Sequence, residues 1–204
     1  MAAEAEPEPA PRQSSNTVPD WLIPPPEGFT AEDLDRLPQL PPRTELIDGA
    51  LVLASPRAIF HTLVLSFLEH ALRQASPKTV RVRREITVRL AKRQRPEPDL
   101  LVLRAGTAED RRETSYRAED VVLAVEVVSP ESEERDRMRK PQLYAKAGIP
   151  HFWRVEEQNG YPVVYVYELD PSTGQYVATG VHRDSLRVSV PFDIELDLKE
   201  IDKF

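Results

Sequence analysis

One apolar run, VVLAVEVV at residues 121–128, constrains the fold more than any other part of the sequence. A continuous Val/Leu run of this length is typical of a strand that is buried on both faces. It therefore predicts a central strand of a sheet. The exception within the run is Glu126, because a buried carboxylate is costly unless it is paired or bound to a cation.

The remaining patterns place strands and helices around this centre. Residues 43–55 predict a hairpin that turns at Asp48-Gly49, and residues 57–75 have the apolar spacing of a helix. A second helix is expected at residues 132–148, kinked at Pro141 because proline cannot donate the helical hydrogen bond. Further strands are expected at 79–90, 98–104, 151–156, 163–169, 175–180 and 190–196. This order of elements predicts an α/β fold, a mixed β-sheet flanked by helices.

The N-terminal region differs in composition from the rest of the chain. Half of the twenty prolines lie in residues 1–42, and residues 1–44 hold eight acidic but only three basic side chains. We predict a disordered acidic, Pro-rich tail over residues 1–28 and one folded domain over residues 29–204. The tail lacks the apolar core of a signal peptide, and no segment is long enough to span a membrane. With no cysteine in the chain, disulfides and thiolate chemistry are excluded, and we expect a cytoplasmic protein without membrane contact.

A basic strip interrupts the otherwise acidic chain, whose net charge is −7. Residues 78–95 contain eight lysines and arginines and a single acid. The strip predicts a surface that contacts nucleic-acid phosphates, although a solvated strand face would have the same composition. The arginines we expect to bind nucleic acid are Arg81, Arg83, Arg89 and Arg95. Arg84 breaks the strand alternation, which indicates a bulge or a buried charge partner.

Two acids lie where neighbouring strands would bring them together. Asp99 begins one apolar strand and Glu126 lies in another, and if these strands are neighbours the two carboxylates can converge at one edge of the sheet. Two carboxylates in a partly dry site repel unless a cation balances them, and Mg²⁺ favours one or two carboxylates with water and phosphate oxygens. The chemistry that fits is metal-assisted phosphodiester hydrolysis, with Mg²⁺ or alternatively Mn²⁺. The alternative is that Asp99 caps a turn and Glu126 pairs with an arginine such as Arg84.

The second predicted helix brings three more polar residues toward this pair. Asp136, Lys140 and Tyr144 recur every four residues and so lie near one helix face. An ammonium facing the acids could orient the nucleophilic water or stabilise the phosphate in the transition state. The alternative for Asp136 and Lys140 is a surface ion pair. His61, at the border of the first helix's apolar face, is either a packing residue or a supporting one.

These motifs carry a family resemblance over residues 43–198. The motifs are ELIDG, Ser-Pro followed by His61, Pro-Asp99, VEVVSP, and D-x3-K-x3-Y-A-x-A-G-I-P-x-[FY]-W from Asp136. Together they resemble the Uma-type restriction endonucleases of the PD-(D/E)XK nuclease superfamily. The resemblance implies a restriction-endonuclease-like fold and Mg²⁺-dependent DNA cleavage, with Glu45, Asp99 and Glu126 as catalytic acids and metal ligands.

One position departs from the superfamily pattern. Val128 stands where the (D/E)XK motif has its lysine, so the resemblance implies that Lys140 supplies the amine from the next helix. The alternative function is a non-catalytic module of the same fold that binds nucleic acid or protein, and a third reading gives the Pro-rich tail a protein partner. A homodimer is plausible for an endonuclease, since cutting both DNA strands usually takes two sites.

Overall fold

The structure is a computed structural model that describes residues 19–107 and 110–204. The strands of this part of the chain are β1 (Glu45–Ile47), β2 (Ala50–Val52), β3 (Val80–Arg84), β4 (Thr87–Arg89), β5 (Leu100–Arg104), β6 (Ser115–Arg117), β7 (Val121–Val127), β8 (His151–Gln158), β9 (Tyr161–Asp170), β10 (Gln175–His182), β11 (Ser185–Val188) and β12 (Ile194–Asp197). The α-helices are α1 (Ile59–Ala75) and α2 (Lys140–Lys146). A π-helical segment, Arg135–Arg139, runs directly into α2, and short 3₁₀ helices cover Asp20–Leu22, Asp33–Asp35, Ala118–Asp120 and Leu198–Lys203.

Six strands form the main sheet, in the order β10-β9-β8-β7-β5-β3. Neighbouring strands are antiparallel except β7 and β8, which are parallel. β7 is paired on both sides, and six of its seven residues are buried. The prediction that the apolar run at residues 121–128 is a central strand of a mixed α/β sheet is therefore confirmed.

Each face of the sheet is covered, which explains why the central strands are apolar on both faces. On one face, α1 packs with the β11–β12 hairpin and the C-terminal 3₁₀ helix over a core that includes Trp153. On the other face, α2 and the small β4–β6 pair cover a second core that includes Tyr144 and Phe152. The polar edge of α2 is thereby held against the strands that carry the predicted acids.

The short hairpin in front of α1 follows the sequence prediction. β1 and β2 pair antiparallel around Asp48 and Gly49, whose φ angles are +56° and +81°. Two consecutive positive φ values define the type I′ turn that Asp-Gly favours between strands. β1 is held against the rest of the domain by backbone hydrogen bonds between Leu46 and Arg95 in both directions, so the side chain of Glu45 has a fixed origin.

The prediction of one continuous strand at residues 79–90 is wrong. β3 ends at Arg84 and β4 begins at Thr87, and Glu85 between them takes the left-handed φ of +51°. β3 is an edge strand of the main sheet, whereas β4 pairs with β6. Arg84, where the alternation breaks, donates from Nε to the carboxylate of Glu85 at 2.8 Å, and not to Glu126.

Part of the predicted tail falls outside the described residues, namely 1–18, together with the disorder expected there. Residues 19–28 contain the 3₁₀ helix Asp20–Leu22, none of whose residues is buried. The division into a tail at 1–28 and a domain at 29–204 stays a prediction. Within residues 19–107 and 110–204, no helix is both long and apolar enough to cross a bilayer.

Candidate active site

Asp99 and Glu126 come from neighbouring strands, which is the condition on which the predicted shared site depended. Asp99 immediately precedes β5, which pairs with β7 in a register that places Leu100 opposite Val125. The backbone N–H of Val127 donates to Asp99 Oδ2 at 2.8 Å, which ties the two strands together at this point. Both carboxylates line one pocket with a volume of about 90 Å³, large enough for several water molecules.

The ammonium group of Lys140 lies among three carboxylates. Its Nζ atom is 2.9 Å from Glu45 Oε1, 3.0 Å from Glu126 Oε2 and 3.2 Å from Asp136 Oδ1. All four side chains are buried, and Lys140 is 4% exposed. The lysine at the start of α2 thus reaches the acid of β7, and the surface ion pair considered for Asp136 and Lys140 is excluded by their burial.

The backbone before α2 directs this lysine inward. Because Pro141 has no N–H, a regular α-helix cannot continue through it without losing a hydrogen bond. The N–H of Lys140 donates to the carbonyl of Arg135, five residues earlier, and a π-helical turn of this kind is frequent at functional sites. Asp136 and Lys140 consequently face the pocket, while Met138 between them is 60% exposed.

Tyr144, one turn after Lys140, contacts the same carboxylate from the other oxygen. Its hydroxyl donates a hydrogen bond to Glu126 Oε1, and its ring is fully buried. Glu126 therefore accepts one hydrogen bond at each oxygen, from Tyr144 and from Lys140. This answers the question that the apolar run raised, because the buried charge of Glu126 has a cationic partner and a neutral donor.

Asp99 is held by a separate set of donors. Arg57 Nη2 lies 2.7 Å and His61 Nε2 lies 3.1 Å from Asp99 Oδ1, in addition to the Val127 N–H at Oδ2. His61 is buried in α1 and contacts Asp99 directly, and its role as a supporting residue stays a prediction. Sequence reasoning did not identify Arg57, since nothing in the Ser-Pro-Arg segment distinguishes it from a surface arginine.

The electrostatics of the two central acids differ. Burial favours the neutral form of Asp99, but the hydrogen bond from His61 and the nearby positive charges outweigh it and keep its pKa below the ordinary value. Burial raises the pKa of Glu126 well above the ordinary glutamate value, against the attraction of Lys140, and the neighbouring acids add to the rise. Burial also opposes the charged form of Lys140, yet Asp136, Glu126 and Glu45 raise its pKa well above that of a free lysine. The lysine therefore stays an ammonium and acts as a donor.

Glu97 is a further acid of the pocket that sequence reasoning missed. Its Oε1 atom is buried and accepts no hydrogen bond from the described residues. Burial, followed by repulsion from Glu45 and Glu85, raises the pKa of Glu97 to about 7. Its position in Pro-Glu-Pro-Asp, two residues before Asp99, was the only signal that could have identified it.

The residues present fit a divalent cation held by two carboxylates. Within the described residues, no three His, Asp or Glu side chains lie close enough together to form a ready-made metal site, and the ligand set of Glu45, Asp99 and Glu126 stays a prediction. Glu45 Oε1 contacts Lys140 and accepts a hydrogen bond from the N–H of Glu97 at 2.8 Å, so Glu45 positions the ammonium of Lys140. Asp99 and Glu126 remain, and Mg²⁺ typically binds through one or two carboxylates, with water and phosphate oxygens completing its shell.

The predicted nucleic-acid-binding arginines lie in different environments. Arg95 is 2% exposed, and its guanidinium donates to Thr87, Ala31, Thr114 and the Asp35 carboxylate. A buried and fully bonded guanidinium cannot contact DNA, so the prediction for Arg95 is wrong. Arg89 donates to Asp35 at 2.6 Å and Arg83 to the hydroxyl of Tyr116 at 3.1 Å, whereas Arg81 is exposed and contacts only backbone carbonyls.

Comparisons with known proteins agree with this architecture. The family model Uma2, described as "Putative restriction endonuclease", matches residues 31–199. A crystal structure of a putative nuclease belonging to DUF820 from Anabaena variabilis matches with a TM-score of 0.66 and 16% identity, covering 86% of this chain and 98% of that one. No curated protein matches the chain. At this identity the structural match shows a shared fold.

Proposed function

The chain belongs to the Uma2 family of putative restriction endonucleases, as its motifs predicted, and on that premise we propose that it is a metal-dependent DNA endonuclease. The reaction is hydrolysis of a phosphodiester bond in the pocket between Asp99, Glu126 and Lys140. The restriction-endonuclease-like fold accounts for how these residues come from different elements yet meet at one edge of the sheet.

One observation carries the proposal. A single buried ammonium contacts three buried acids, and a fourth acid lines the same pocket. Glu45, Glu126 and Asp136 surround Lys140, and Asp99 lines the same pocket. A purely structural ion pair needs one acid for one base, and surplus buried carboxylates are costly without further cations. The surplus negative charge favours a divalent cation at Asp99 and Glu126, the two acids that share adjacent strands.

The residues of the chain have distinct roles in the proposed reaction. When bound, Mg²⁺ or Mn²⁺ would polarise the scissile phosphate and lower the pKa of a bound water. Lys140, which remains protonated, stabilises the negative charge that develops on the phosphate oxygens. Its three N–H groups face three acids, so it orients the attacking water by exchanging one of these contacts. Glu45 and Asp136 fix the position of this ammonium, and Tyr144 fixes the carboxylate of Glu126.

DNA is the proposed substrate, and the exposed Arg81 on edge strand β3 is the best candidate among the predicted arginines for a phosphate contact. Arg83 and Arg89 are partly exposed but already hydrogen-bonded to side chains. A homodimer with two active sites is part of the proposal for double-strand cleavage. The alternative is a non-catalytic module that binds nucleic acid or protein, and the assay below separates the two.

The test is cleavage of supercoiled plasmid and of single-stranded DNA by the full chain with Mg²⁺, Mn²⁺ or EDTA. Asp99→Asn and Glu126→Gln keep the side-chain shapes and remove the charges, and each should abolish cleavage in either metal. Lys146→Met is the control for Lys140→Met, because Lys146 lies on the same helix but is exposed. Cleavage that survives EDTA, or that persists in Asp99→Asn, would overturn the proposal, and binding of DNA without cleavage in any metal would support the non-catalytic module.

A further inference from the structure

Arg57 lies in the segment between β2 and α1, at the pocket, and its guanidinium bridges two acids. Nη2 is 2.7 Å from Asp99 Oδ1, and Nη1 pairs with Glu85 Oε1. Glu85 lies in the left-handed region at the break between β3 and β4, and its N–H donates to the backbone carbonyl of Asp99. The backbone break between the two strands thus brings a second carboxylate beside the arginine.

The oxygens of Asp99 are already engaged by donors. Oδ1 contacts both Arg57 and His61, and Oδ2 accepts the N–H of Val127. A metal ion binds a carboxylate through the same lone pairs that accept hydrogen bonds. Each carboxylate oxygen has two lone pairs, so Oδ1 is fully occupied while Oδ2 keeps one free. A divalent cation that binds Oδ1, alone or together with Oδ2, must therefore displace one of the two side chains.

Arg57 is the partner that can leave. His61 is buried in the first turn of the core-forming helix α1, and Val127 belongs to the central strand β7. Arg57, in contrast, lies in a non-regular segment in which residues 53–56 and 58 are exposed, and its own side chain is 19% exposed. Moving it needs no change in a helix or in the sheet.

We propose that Arg57 occupies the place of the divalent cation at Asp99 in the metal-free protein and competes with the metal for that carboxylate. The inference rests on the proposed function, since it concerns the same metal site. Glu85 retains the displaced guanidinium at the pocket, where its planar group of donors suits the phosphate oxygens of the substrate. By reciprocity, whatever binds Arg57 away from Asp99 strengthens metal binding.

The test is isothermal titration calorimetry with Mn²⁺, in the absence of DNA, on the metal-free wild type and the metal-free Arg57→Gln variant. The variant should bind Mn²⁺ on the order of tenfold more tightly, a typical size for coupling between two ligands. Arg43→Gln is the matched control, because Arg43 lines the same pocket and the change removes the same charge without altering the Arg57–Asp99 contact. Its effect should stay within about twofold, as expected for a charge that is screened by solvent.

The outcomes separate this inference from the proposed function. An unchanged dissociation constant in Arg57→Gln, or an equal gain in Arg43→Gln, overturns the competition while leaving the metal site intact. Absence of Mn²⁺ binding in both wild type and Arg57→Gln overturns the inference and the metal-dependent function together. If circular dichroism shows that the Arg57→Gln variant does not fold, Arg57→Lys replaces it. A lysine keeps the charge but cannot bridge two acids with separate nitrogens, so a smaller tightening supports the competition and no tightening refutes it.

Discussion

Replacing Lys140 with methionine should reveal how much the acid cluster depends on its single central cation. The change leaves Glu45, Glu126 and Asp136 buried, at 8%, 1% and 2% exposure, without the ammonium. Each contact of about 3 Å corresponds to roughly 5 kcal/mol of attraction at an effective dielectric constant of about 20, much of it offset by the desolvation of the lysine. Removing one partner of a buried ion pair typically costs 3–5 kcal/mol, and we expect about 4 kcal/mol at pH 8.

The loss should depend on pH in a defined direction. Without the ammonium, the pKa values of Glu126 and Asp136, already raised by burial, rise further above those of the unfolded chain. The folded variant then takes up protons as the pH falls, so its deficit relative to wild type should shrink to roughly half by pH 5. Adding Glu126→Gln to the variant should recover part of the deficit at pH 8, because it removes the most buried of the uncompensated charges.

Urea unfolding in EDTA, followed by tryptophan fluorescence, measures this deficit, since Trp153 is fully buried in β8. Lys146→Met provides the baseline for losing an exposed lysine from the same helix, and should change the free energy of unfolding by less than about 0.5 kcal/mol. If Lys140→Met costs no more than this control, or if its cost is the same at pH 5 and pH 8, the ammonium does not neutralise the buried acids.

Four further predictions address other residues around the pocket and in the basic strip. Tyr144→Phe should lower the free energy of unfolding by about 2 kcal/mol, because it leaves one buried oxygen of Glu126 without a donor; urea titration measures the loss, and an unchanged midpoint contradicts it. Glu97→Gln should stabilise the metal-free protein by about 2 kcal/mol at pH 8 and hardly at all at pH 4. The figure at pH 8 is reduced to allow for the partial exposure of the side chain. Its folded pKa of about 7 exceeds the ordinary 4.5, so the wild type loses stability as the pH rises through that interval; equal effects at both pH values would refute the assignment. Arg81→Gln, in the Asp99→Asn background, should weaken binding of a DNA duplex and reduce the slope of log affinity against log salt concentration by about 1. An unchanged slope rules out a phosphate contact by Arg81. Arg95→Gln should instead lower the melting temperature of the protein.

Local patterns were sufficient for the elements that form from nearby residues. The apolar run around Glu126 required a doubly covered strand, and Asp48-Gly49 specified the hairpin turn, because burial and turn geometry depend on residues close in sequence. The four-residue spacing from Asp136 to Tyr144 likewise placed Lys140 on the face that meets the acids. Membership of the family, and with it the restriction-endonuclease-like fold, could be predicted from these same motifs.

Long-range pairing decided the rest. Arg95 was predicted for DNA and is instead buried against Asp35, 60 residues earlier in the chain. Residues 79–90 looked continuous but divide at Glu85 because β4 pairs with β6 and leaves the main sheet.

By itself, the sequence determined the central strand, the helix that carries Lys140, and the acids that can share a site. Only the tertiary structure decided how those acids divide their partners, with Glu45 holding Lys140 and Arg57 holding Asp99. The physical reason is that a carboxylate binds whichever cation the fold brings within about 3 Å, and separation along the chain carries no information about that distance.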